Sequence, residues 1–101
     1  MIQKLEILQK MIKYAMPVAK FNYSEPAFLH GFYHLDIGFN GNSVSVQIGG
    51  TDPNSFGVTK LPSEWDDGPE FVSENIDDTV SYIKTALCLD QAILEALNEA
   101  Q

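Results

Sequence analysis

The sequence predicts an α+β domain, with a helix at each end and an antiparallel sheet of about three strands between them. Apolar residues recur at helical spacing in residues 2–16 and again from residue 75 onward. Residues 33–48 instead alternate between apolar and polar side chains, as half-buried strands do. No helical pattern separates the strand patterns, so the βαβ units of a parallel sheet are not expected.

The length allows one domain. A chain of 101 residues hides only about two-thirds of its unfolded surface on folding, so residues 1–101 are assigned to a single α+β domain. The sequence has neither a long apolar run nor the features of a secretory signal. Its single cysteine, Cys88, cannot form an internal disulfide, which agrees with a reducing compartment. A cytoplasmic protein with no membrane association is expected.

The first predicted helix spans residues 2–16, and Pro17 supplies its stop. Ile7, Met11 and Tyr14 widen its apolar stripe beyond the arc of an ordinary surface helix. We therefore expect this helix to be covered on more than one side, either at the centre of the fold or by a second subunit. A homodimer through the N-terminal helix is slightly favoured.

The strands are predicted from alternation and turn residues. Residues 20–29 are compatible with either a strand or an ordered connection. Residues 33–39 and 43–48 predict a central hairpin, with Asn40-Gly41-Asn42 as its turn. Gly49–Asn54 is dense in turn formers and is expected to end the second strand. Phe56–Leu61 is then a third, shorter strand, and residues 62–75 are an acidic loop.

The last predicted helix begins at Asn75, a good N-cap, with Asp77 and Asp78 in its first turn. Its pattern runs nearly to the C-terminus, but Asp90 falls in the middle of the apolar stripe, where a carboxylate is costly. Three explanations are open. The helix breaks near Leu89 and Asp90 caps a second short helix; the second half of the stripe lies near solvent; or Asp90 pairs with Lys4.

Charge excludes some functions. The chain has fourteen acids, six lysines and no arginine, for a formal net charge of -8. Direct nucleic-acid binding is not expected, because phosphate backbones are bound mainly by Lys and Arg. The imbalance is uneven: residues 1–20 hold four lysines and one glutamate, whereas residues 61–80 hold seven acids and no lysine. This polarity either holds the fold together or offers an acidic face to a basic partner.

No catalytic, metal or cofactor motif is complete. His34 and Asp36 share a strand face, but no nucleophile motif accompanies them, and His30 and His34 are too far apart along a strand to share one ion. Gly49-Gly50-Thr51 lacks the lysine and the following helix of a phosphate-binding loop. Asp66-Asp67-Gly68 lacks the ligand spacing of a calcium loop.

These observations lead by elimination to a non-catalytic protein-binding module, such as a small regulator, inhibitor, immunity-type protein or chaperone. Trp65 lies among acidic residues, and it either anchors a partner or folds back onto the core. The predicted surface for a basic protein partner consists of Glu64, Trp65, Asp66, Asp67, Glu70 and Glu74. The alternatives are a ligand binder or enzyme using His34, Asp36, Tyr23 and Tyr33, and a structural homo-oligomer.

Overall fold

A computed structural model of the chain describes residues 2–28, 31–50, 52–61 and 69–88. Within them, two helices flank an antiparallel sheet of five strands, each lying beside its neighbour in the chain. The elements are α1 (Gln3–Ala15), β1 (Lys20–Ser24), β2 (Phe32–Phe39), β3 (Asn42–Gly49), β4 (Asp52–Leu61), β5 (Phe71–Ser73) and α2 (Ile76–Leu87). The α+β class is confirmed, whereas the prediction of about three strands is wrong.

The central hairpin is formed as predicted. Phe39 pairs with Asn42 across a two-residue turn, and both turn residues have positive φ, 53° at Asn40 and 82° at Gly41. Such a turn suits the right-handed twist of the strands that it joins. The Asn42 side chain also donates a hydrogen bond of 2.9 Å to the carbonyl oxygen of Leu87, which attaches the turn to the last turn of α2.

The additional strands lie at the two edges of the sheet. β1 was left ambiguous by the sequence, and it pairs in full with β2, from Lys20 opposite Gly38 to Ser24 opposite His34. β5 falls inside the segment that we predicted as an acidic loop. It pairs with β4 over only three residues, with Val72 opposite Gly57. Three residues show almost no alternation of apolar and polar side chains, so the sequence of β5 alone does not predict a strand. Its conformation depends on the residues with which it pairs and packs.

β4 begins earlier than predicted, at Asp52 instead of Phe56. The pairing of β3 with β4 shifts between Gln47 and Gly49, so that Gly49 lies opposite Asp52. A bulge of this kind lets one strand carry extra residues without ending the pairing. Gly49 and Gly50 both have positive φ, and the strand that begins at Asp52 continues the pairing through the bulge.

One face of the sheet packs against both helices. Leu35, Val46 and Val58 lie in register on adjacent strands and are fully buried on this helix-covered face. The remaining fully buried apolar side chains come from the same face and from the helices: Leu5, Leu8, Ile12, Ile37, Val44, Ile48, Ile83 and Leu87. The opposite face, which we call the open face, carries mostly small and polar side chains.

α1 is covered on one side only. Leu5, Leu8 and Ile12 are fully buried against the core, whereas Ile7 is 44% exposed and Tyr14 is 92% exposed. Among the described residues, α1 therefore does not lie at the centre of the fold, and coverage of its exposed side by a second subunit stays a prediction. The wide apolar stripe is split into one side that packs against the core and one side that stays exposed.

α2 begins where the sequence predicts. The Asn75 side chain accepts a hydrogen bond of 3.0 Å from the backbone N–H of Asp78, which confirms the N-cap. Cys88 follows the helix and is half-buried against the core, with its Sγ 4.0 Å from Sδ of Met16. Asp90 and the predicted break lie outside the described residues, while Lys4 donates to the carbonyl and side-chain oxygens of Asn54 at 3.4 and 3.2 Å. Neither α1 nor α2, the helices in the described part of the chain, is long and apolar enough to cross a membrane.

Candidate partner-binding surface

Four acidic side chains lie around β5 and the start of α2. Glu70 and Glu74 immediately precede and follow the strand, and Asp77 and Asp78 occupy the first turn of the helix. All four are exposed. We call this set, Glu70, Glu74, Asp77 and Asp78, the acidic corner.

The turn between β5 and α2 is held by a short series of hydrogen bonds. The backbone N–H of Asn75 donates to the Ser73 hydroxyl at 3.0 Å. The Thr79 hydroxyl, whose residue is fully buried, donates to the carbonyl oxygen of Asn75 at 2.8 Å. Because the backbone on both sides of Glu74 is fixed in this way, the acidic corner is presented by an ordered turn.

Glu70 is positioned by an aromatic residue of α2. The Tyr82 hydroxyl donates to Oε2 of Glu70 at 3.3 Å, and its ring stacks on that of Phe71 with 4.4 Å between centroids. Burial raises the pKa of the Tyr82 hydroxyl, and the negative charge of Glu70 and the hydrogen bond to it raise that pKa further. The hydroxyl therefore remains a donor to the carboxylate across the neutral pH range.

The acidic corner has no positive partner in the described part of the chain. The one ion pair among those residues joins Lys10 to Glu6 on α1, at 3.6 Å. The lysine of α2, Lys84, lies in the last turn of the helix, far along the chain from Asp77 and Asp78. The four carboxylates therefore remain available to an external cation.

A shallow apolar depression lies beside the acidic corner on the open face. Its apolar lining includes Phe32, which is 42% exposed, Val72, which is 60% exposed, and Pro69. Gly57 forms the floor, and a Cβ atom there would lie 2.8 Å from Cγ of Pro69. The volume of about 140 Å³ is well below the roughly 300–1,000 Å³ of typical small-molecule pockets. It suits a side chain better than a whole ligand.

The structure describes only some of the predicted partner-binding residues. Glu70 and Glu74 are brought together around β5, and Asp77 and Asp78 extend the charge onto α2. Glu64, Trp65, Asp66 and Asp67 lie outside the described residues. Sequence reasoning missed the apolar part of this surface. A signal for it existed, because Val72 is an apolar residue inside an acidic segment.

The residues of the alternative ligand-binding hypothesis do not come together. His34 and Asp36 lie on the open face, whereas Tyr23 and Tyr33 stack on each other at 6.3 Å on the helix-covered face. Neither His34 nor Asp36 lines the depression. Their cross-strand neighbours are small or polar side chains: Asn22, Ser24, Ser45 and Gln47.

Among the described residues, no group of three or more His, Cys, Asp or Glu side chains is arranged to hold a metal ion. Comparison of the chain with protein-family models, curated proteins and solved structures gives no match.

Proposed function

We propose that this protein is a non-catalytic binding module that captures a basic protein partner through the acidic corner and the adjoining apolar depression. The observation that carries the proposal is the exposed Val72 side chain, which lies between Glu70 and Glu74 in the chain and lines the depression. An apolar anchor inside a polar, solvent-accessible rim is typical of protein interfaces.

Each half of this surface has its own role. The carboxylates of the acidic corner, which form no ion pair with any described residue, attract a cationic segment and increase its association rate, an effect that weakens with salt. The depression takes one apolar side chain of the partner, and burial of that side chain contributes specificity that charge alone does not provide. A segment that alternates lysine or arginine with a large apolar residue fits both requirements.

The proposal is tested with paired variants of the full chain. Glu70→Gln/Glu74→Gln removes charge at the surface, and Val72→Ser removes the apolar anchor. The matched control, Glu6→Gln/Glu25→Gln, removes the same charge from exposed positions outside the acidic corner. Each variant is first compared with the wild type by urea unfolding, and each is then used as bait in a cell extract at low and physiological salt, with mass spectrometry as the readout.

The expected result is a basic protein retained by the wild type and the control but lost by both surface variants. Equal loss with the control would show only nonspecific charge attraction and would overturn the proposal. If a partner is retained by Val72→Ser but lost by Glu70→Gln/Glu74→Gln, the apolar depression does not contribute to binding. If no bait retains any protein specifically, the binding-module assignment is wrong.

A further inference from the structure

The first strand of the sheet has an outer edge with which no described strand pairs. β1 lies at one end of the strand order, beside β2. Its two aromatic side chains, Phe21 and Tyr23, lie at the rim of the core on the helix-covered face and are only half-buried. Val18, before the strand, is 76% exposed, and Phe28, after it, is 73% exposed. Among the described residues, this apolar strip therefore reaches the edge of the sheet without a cover.

The register of the sheet shows which backbone groups of β1 point outward. The two residues that flank the tight turn between β2 and β3 exchange hydrogen bonds, and every second residue of β2 does the same with β3. Asp36 belongs to the alternate set, so its backbone groups point to β1, where Asn22 lies opposite. The backbone N–H and C=O groups of Phe21 and Tyr23 therefore point away from the sheet.

A second copy of β1 complements this edge. When two copies run antiparallel with Asn22 opposite Asn22, Phe21 of each copy lies opposite Tyr23 of the other. The outward backbone groups then meet as hydrogen-bonded pairs. The same register sets aromatic side chains directly opposite each other on the helix-covered face, an arrangement that stabilises paired strands. It also brings Val18 of one copy to the same end of the pair as Phe28 of the other.

The charges at this edge are complementary between the two copies. In the same register, Lys20 lies opposite Ser24 of the other copy, within reach of the Glu25 that follows it. Both charged side chains are exposed, and neither forms an ion pair with a described residue. Because the pairing is symmetric, two such contacts form. The corresponding pairing at β5 would instead bring Glu70 of one copy against Glu74 of the other, where like charges repel.

We propose that this protein forms a symmetric homodimer in which β1 of each copy pairs antiparallel with β1 of the other, centred on Asn22. The five described strands of each copy then join into one sheet, with the helices of both copies on the same face. The two acidic corners lie at opposite ends of that sheet. The dimer therefore presents two copies of the surface proposed for a basic partner, which favours a partner with two basic segments.

Amide hydrogen exchange of the full chain, followed by NMR, tests this interface directly. The N–H group of Asn22 points to β2 and should be protected in monomer and dimer alike. The N–H groups of Phe21 and Tyr23 should be protected only in the dimer. Their exchange should slow about tenfold when nine-tenths of the chain is dimeric, because exchange then proceeds through the monomer. Sedimentation equilibrium on the same samples measures the dimer fraction.

Charge variants test the register without disturbing the fold, because Lys20 and Glu25 are exposed. Lys20→Glu places like charges together at both ends of the pair and should raise the dimer dissociation constant about tenfold. Lys20→Glu/Glu25→Lys exchanges the two charges and should restore the wild-type value. The matched control, Lys84→Glu, makes the same change of net charge on α2 and should raise the dissociation constant far less.

Three results would overturn the proposal. A chain that stays monomeric at its highest soluble concentration would show that no second copy joins this edge. A dimer in which the amides of Phe21 and Tyr23 stay unprotected would place the interface elsewhere; if it lies on the exposed side of α1, Tyr14→Glu should dissociate it. Protection of both amides in samples that sedimentation shows to be monomeric would mean that the chain covers this edge itself.

Discussion

Tyr82 of α2 lies flat against Phe71 of β5, with 12° between the ring planes and 4.4 Å between the centroids. This contact joins α2 to β5, the shortest of the described strands, at one edge of the sheet. Since β5 pairs with β4 over only three residues, the stacked rings add a second contact that holds this segment in the fold. They also fix the position of Glu70 and thus of the acidic corner.

Two replacements of Tyr82 should separate the contribution of its ring to stability from the contribution of its hydroxyl. Tyr82→Phe keeps the stack and removes one exposed hydrogen bond, so the free energy of unfolding should fall by about 1 kcal/mol or less. Tyr82→Ala removes the stack and should cost about 2 kcal/mol or more. Urea unfolding measures both losses. Equal losses in the two variants would mean that the stacked rings do not hold β5.

The raised pKa of Tyr82 predicts a pH dependence with a definite sign. Its hydroxyl loses its proton at higher pH in the folded protein than in the unfolded chain, so the resulting stabilisation is complete below the unfolded value of about 10. It is lost as pH rises through the folded pKa. Unfolding measured from neutral to alkaline pH should therefore show a decline in the wild type that is smaller in Tyr82→Phe. Identical pH profiles would contradict the shift.

Glycine at position 57 should be required by close packing on the open face. A Cβ atom there would lie 2.8 Å from Cγ of Pro69 and 3.0 Å from Cγ of Gln47, so Gly57→Ala should cost about 1–3 kcal/mol. The matched control is Gly38→Ala, where the nearest atom, Oγ of Ser43, would lie at 3.6 Å. The control should be nearly neutral in urea unfolding. Equal effects in the two variants would argue against close packing by Pro69.

The N-cap of α2 should contribute measurably to stability. Asn75→Ala removes the acceptor for the backbone N–H of Asp78 and should lower the free energy of unfolding by about 1 kcal/mol. Asn75→Ser supplies another capping oxygen and should retain most of the stability. Thermal unfolding of the two variants beside the wild type makes the comparison. If the alanine variant is as stable as the serine variant, the capping hydrogen bond does not stabilise the protein.

Several elements could be predicted because their signals are local. The Asn40-Gly41 turn is specified by residues that accept positive φ, and the strands that flank it show clear alternation. Asn75 and the two aspartates after it mark the start of α2 in the sequence itself. The alternation also implied that Tyr33 and His34 lie on opposite faces, although the ligand-binding hypothesis grouped them in one site.

By itself, the sequence determined the α+β class, the central hairpin, the start of α2 and the contrast in charge between residues 1–20 and residues 61–80. Only the tertiary structure decided that residues 71–73 form an edge strand, that Val72 and Phe32 meet at one depression, and which side of α1 is buried. The physical reason is the distance along the chain over which each effect acts. Periodicity, caps and turns depend on neighbouring residues, whereas edge pairing and burial depend on surfaces brought together from distant parts of the chain.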